Sequence, residues 1–217
     1  DANGTKVPTA TDSITLTFGT DPSGSTATLG GTTTVSAVAG VATFNDITID
    51  KAFTGYTLGV TASGLIGDTS TAFDIAAGVK SQLAFIQAPV DTQYNTNITP
   101  AITVEIQDAY GNNTGDTDTI SLVINNNPSA GTLSGTTSQA AAAGIATFSD
   151  IQINNVGVGY TLNATGAGLT LDTSANFDIT TTPTQLVITQ TPTNTYNDTN
   201  ISPAITVEIR DASNNLV

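Results

Sequence analysis

The stretch VATFNDITIDKAFTGYTLGVTASGLIGDTSTAFDI, residues 41–75, returns as IATFSDIQINNVGVGYTLNATGAGLTLDTSANFDI, residues 145–179. Val41 and Ile145 open the two copies 104 residues apart, and Phe44, Tyr56 and Phe73 recur as Phe148, Tyr160 and Phe177. A second block, QLAFIQAPVDTQYNTNITPAITVEIQDA from Gln82, returns from Gln185 as QLVITQTPTNTYNDTNISPAITVEIRDA, so Glu105 matches Glu208 and Asp108 matches Asp211. TDSITLTF around Ile14 resembles TDTISLVI around Ile120. A period of about 100 residues is far longer than a solenoid repeat and has the size of one β-sandwich domain.

Within a period, short runs such as AITVEI, TISLVI, GIATFSDIQI, GYTLNAT and SANFDI alternate apolar residues with Thr, Ser, Asn or Asp, as half-buried antiparallel strands do. Gly, Asn, Asp and Pro punctuate them at 111–115, 125–129 and 154–159. No window supports a long amphipathic helix; the Ala run 140–143 is short and meets Gly144 at once. The full unit is expected to hold seven strands, near Leu83, Ile102, Ile120, Leu133, 146–153, Tyr160 and Phe177, arranged as two sheets. One barrel of twice the size is disfavoured, because the halves repeat each other.

Linker-like stretches at 76–81 and 180–184 follow each FDI. The expected units are therefore 1–79, lacking its first two strands because Asp1 aligns with Asp108; 80–182, complete; and 183–217, the first two strands of a third unit. Two explanations compete for that division. The chain is a window on a longer repeat array, or strands within 186–209 complete the first unit of a neighbouring molecule in a head-to-tail fibre.

Charged residues are only 10% of the chain, against about 25% in ordinary soluble domains, so Thr, Ser, Asn and Gly must make the polar surface. Eighteen acidic residues against four basic ones give a net charge of -14, which repels phosphate backbones and excludes nucleic acid as an expected partner. There is no Cys, hence no disulfide framework or thiolate metal site. No run of eighteen apolar residues occurs, and no membrane insertion is expected in this segment.

ITVEIQDAYGN, AGIATFSDI and GYTLNATGAGL, in that order, resemble the bacterial and archaeal immunoglobulin-like repeats of surface proteins, the invasin-like and filamin-like group. The resemblance covers nearly the whole chain. It implies an all-β fold of tandem immunoglobulin-like antiparallel β-sandwich domains, an extracellular location, and a spacer or stalk role in adhesins, secreted giants or surface layers. It brings no catalytic residues.

The residues agree with that last point. Without His or Cys, the usual physiological-pH base and the strongest nucleophile are missing, and the two glutamates, Glu105 and Glu208, occupy equivalent positions in successive repeats. The chain is not expected to be an enzyme.

Aspartates recur in register: Asp12 with Asp118, Asp46 with Asp150, Asp68 with Asp172, Asp74 with Asp178. Turn chemistry accounts for them, since Asp hydrogen-bonds its own backbone. The competing reading is calcium, with Asp108, Asp116, Asp118 and Glu105 around DAYGNNTGDTD as candidate ligands. Tyr56 and Tyr160, each after Gly, are placed like the tyrosine corner of such sandwiches. Sequons at Asn3, Asn97, Asn112, Asn163, Asn197 and Asn200 are candidate glycosylation sites.

The expected role is a structural segment of a surface or filament protein whose partners are copies of itself or adjacent repeats. An adhesin segment and an accessory module of a secreted hydrolase are the alternatives.

Overall fold

The computed structural model describes residues 5–212, 214, 216 and 217. Every regular element among them is a β-strand, and none is a helix. The chain is all-β and of the sandwich type. It divides into two compact units, Asp1–Gln82 with Ile106–Gly115, and Leu83–Glu105 with Asp116–Val217.

In the second unit, Thr119–Asn126 lies between Ser138–Ala140 and Gly157–Gly166, and the sheet continues through Phe177–Thr180 to Thr92–Gln93. A three-stranded sheet runs Ile145–Phe148, Ile102–Asp108, Lys80–Gln87. Ile102–Asp108 alternates buried and half-buried residues along its whole length, the period-2 signature of a strand with one face on a core. Ile120, Leu122, Tyr160, Leu162, Ala164, Phe177 and Ile179 supply further buried side chains.

The expected strand near Leu83 divides its loyalties. Lys80–Gln87 stays with one sheet, while Thr92–Gln93 joins the other as a parallel edge to Phe177–Thr180, with Ile179 opposite Thr92. Crossing over between Gln87 and Thr92 covers the last strand of the larger sheet, so this antiparallel architecture contains one parallel ladder among the described residues.

The run expected as one strand over 146–153 is split into Ile145–Phe148 and Gln152–Ile153. Asp150 explains the break. Its carboxylate accepts the Thr136 amide at 2.9 Å and the Thr136 hydroxyl at 2.8 Å, which fastens the turn at Gly135. Gly135 has φ +97°, and a Cβ there would run into the Asp150 carbonyl. The first unit repeats the device with Asp46, Thr32 and Gly31.

In the first unit, Ser13–Thr20 lies between Thr34–Ser36 and Thr57–Thr61, and Asp68–Thr69 extends the sheet. Tyr56 is fully buried and packs near Phe18 and Phe73. Its hydroxyl donates to the Lys51 carbonyl at 2.9 Å, as Tyr160 donates to Asn155, five residues upstream in both cases. Each pair joins the barely polar core to its neighbouring loop.

Gly135→Ala forces a side chain into left-handed backbone and against the Asp150 carbonyl, whereas Gly168→Ala, at φ +71° with open space around its Cβ position, meets only the backbone cost. Urea denaturation should show a loss of roughly 2 to 3 kcal/mol or more for Gly135→Ala and about 1 kcal/mol for Gly168→Ala. Equal losses would contradict this account of the turn.

Candidate functional site: an anchored turn and two exposed apolar faces

The acidic loop flagged in the sequence begins at Asp108, which is buried at the end of Ile102–Asp108. Its carboxylate accepts four hydrogen bonds: Tyr110 N and Asn112 N on Oδ1, both at 2.9 Å, and Gly78 N at 2.8 Å and Asn112 Nδ2 at 2.9 Å on Oδ2. Asn112 then reaches further, donating from Nδ2 to the Asp50 carbonyl and accepting the Ala52 amide on Oδ1. Lys51 Nζ donates to the Tyr110 carbonyl at 2.6 Å. These bonds explain why Ile106–Gly115, which in sequence belongs to the second repeat, groups with the first compact unit.

Burial pushes the Asp108 carboxyl up, but the donors from Asn112, Gly78 and Tyr110 outweigh it and hold the group at about 2. Hydrogen bonds from the amide and hydroxyl of Thr32 hold Asp46 below the usual carboxylate range, and those of Thr136 do the same for Asp150.

The four candidate calcium ligands are placed as follows. Asp108 spends both oxygens on protein donors. Glu105 sits half-buried on a strand opposite Ile145. Asp116 and Asp118 are half-buried and accept the Gly144 and Ala141 amides on their backbone carbonyls. Among the described residues, no three acidic side chains are grouped to hold a metal ion.

Of the sequons, Asn3 lies outside the described residues, and Asn97, Asn197 and Asn200 are exposed. Asn112 and Asn163 are half-buried, and the Asn112 amide nitrogen that a glycan would occupy is already shared between two acceptors.

The larger feature is apolar. Ile98, Ile102, Val104 and Ile106 are all 0% exposed, whereas their sequence counterparts Ile201, Ile205, Val207 and Ile209 are 45%, 46%, 51% and 51% exposed. The counterparts belong to a hairpin, Gln185–Gln190 with Thr206–Arg210, which forms a two-stranded sheet of its own.

The first unit shows the complementary exposure. Phe44, Ile47, Ile49, Leu58, Phe73 and Ile75 are half-buried, while Phe148, Ile151, Ile153, Leu162, Phe177 and Ile179 are buried. Residues 41–44 form no strand there; residues 145–148 pair with Ile102–Asp108.

Sequence reasoning read Asn112 only as a sequon and missed it as an anchor. The available signal was its recurrence as Asn215, four residues after an aspartate in both copies.

No family model matches the chain, and no curated protein matches it in sequence. Solved structures with some likeness include domains 4–9 of the surface layer protein SbsC, 15% identical over 99% of this chain and 30% of that one, with a TM-score of 0.35. A β-glucuronidase from Parabacteroides merdae is 13% identical over 78% of this chain and 21% of that one, TM-score 0.35. A β-glycosidase from Bacteroides vulgatus is 12% identical over 78% and 21%, TM-score 0.34. This chain spans less than a third of each, and at that level of likeness none bears on function.

The Asp108 carboxylate has a folded-state value below its unfolded one, so its contribution is intact above about pH 4 and is lost as the pH falls towards 2. Asp108→Asn should lower stability by about 1 to 3 kcal/mol at neutral pH, because an amide cannot accept all four donors, and should flatten the acid limb of a urea-midpoint-against-pH curve. An unchanged acid limb would show that Asp108 is not the anchor.

Proposed function

We propose that this chain is a structural segment of an extracellular cell-surface or filament protein, built from tandem immunoglobulin-like repeats and acting as a self-assembling building block. The observation that carries the reading is that apolar side chains are exposed on the 185–210 hairpin and half-buried in the first unit, whereas their repeat counterparts are buried core. Exposed apolar patches of this kind mark interaction surfaces or sites of aggregation.

Polar chemistry supports a mechanical role. Asp46, Asp108 and Asp150 serve as turn anchors, and the two core tyrosines donate to backbone carbonyls. The Glu208–Arg210 contact joins neighbours on one strand and fastens no two elements together. Without His, Cys or Trp, the chain is poorly equipped for catalysis or for stacking on sugars.

Sedimentation velocity and electron microscopy of the purified chain test the reading. Linear polymers are expected, and their fraction should rise with salt, since a net charge of -14 on each copy opposes association at low ionic strength. A dispersed 21.9 kDa monomer at every concentration and salt would overturn it.

A further inference from the structure

We infer that the hairpin Gln185–Gln190 with Thr206–Arg210 of one copy docks on the first unit of a second copy, adding Thr206–Arg210 as a strand beside residues 41–44 in one defined register. The inference rests on the self-assembly reading above and specifies its partner surface. The second sequence repeat contains the intramolecular version of the same joint. There, Ile102–Asp108 is the central strand of three, with Lys80–Gln87 on one side and Ile145–Phe148 on the other. Thr206–Arg210 already has Gln185–Gln190 on the first side, and its other edge is the one the counterpart of Ile145–Phe148 would take.

The register follows from the observed one. Ile145, Ala146, Thr147 and Phe148 face Glu105, Val104, Thr103 and Ile102. Carried through the repeat, Val41 faces Glu208, Ala42 faces Val207, Thr43 faces Thr206 and Phe44 faces Ile205. A slip of one residue would turn every apolar side chain of the strand to the wrong face.

The rim of the docking surface carries over as well. In the second unit, the Leu83 amide donates to the Thr170 carbonyl at 3.0 Å and the Phe85 amide to Asp172 Oδ2 at 2.8 Å. The Ile98 amide donates to the Ile151 carbonyl at 2.8 Å. The corresponding bonds run from Leu186 to Ile66, from Ile188 to Asp68 and from Ile201 to Ile47. Asp68 is preset for this role: its Oδ1 accepts the Thr69 amide just as Asp172 Oδ1 accepts that of Thr173. Ile66 is fully exposed, and Leu16, Leu58 and Val60 line a shallow groove beside Asp68. Leu58 and Val60 are half-buried, whereas their counterparts Leu162 and Ala164 are buried; Leu16 is buried like its counterpart Leu122.

The chain has no Cys, so paired cysteine variants report the register cleanly. Thr43 and Thr206 are exposed and stand outward of the core face, so neither substitution should disturb folding. A Thr43→Cys chain and a Thr206→Cys chain, co-expressed and mildly oxidised, should give a disulfide heterodimer at about five times the yield of the slipped pair Thr43→Cys with Val207→Cys. A second in-register pair, Val41→Cys with Glu208→Cys, should behave like the first. Linear polymers in which the slipped pair links as well as the in-register pairs, or in which none links, would overturn the docking register and leave the assembly reading standing. Monomers alone would overturn both.

Discussion

A β-sheet has two faces, and an apolar face stays out of water only when a second layer is laid on it. Everything distinctive about this molecule follows from where that condition is met. The second unit meets it: Ile102–Asp108 closes against Ile145–Phe148, and the side chains beneath it vanish from solvent. The first unit and the 185–210 hairpin carry the same kinds of residue in the same order without being closed to the same degree. Burying an aliphatic side chain of this size is worth about 1.5 to 3 kcal/mol, so several of them together form a strong drive towards association.

The polar residues answer a different need. A chain with so few charges must hold its turns with short side chains, and the recurring aspartates do this by taking backbone amides and threonine hydroxyls. The same chemistry links successive repeats along the chain: Asp108 and Asn112 bind the backbone at Gly78, Asp50 and Ala52. Asp108, a candidate calcium ligand when read in one dimension, is in three an acceptor facing amides. Its oxygens are engaged by four donors and have no need of a counter-ion to be buried.

Much of the fold was legible because the repeat doubled every signal. Period-2 alternation placed the long strands near Leu83, Ile102, Ile120 and Tyr160, and their length protected them from local competition. The short elements escaped notice. Thr92–Gln93, Ser138–Ala140 and Asp172–Thr173 have two or three residues each and owe their strand character to their neighbours rather than to their own pattern. The break within 146–153 was hidden for a related reason: Asp150 looks like an outward-facing strand residue until its partner, Thr136, is brought across from fourteen positions away. The repeat alignment pairs each apolar residue with its counterpart, but which of them stand exposed, and which acceptors lie beside them, needed coordinates.

At the centre of the account is the claim that residues 41–44 and 206–208 become partners in the assembled state. Amide hydrogen exchange on the chain at high concentration tests this most directly. The account predicts that both segments become as slow to exchange as 145–148 and 103–105, and that dilution restores fast exchange in the first two alone. Fast exchange in residues 41–44 within a sample that has polymerised would contradict it.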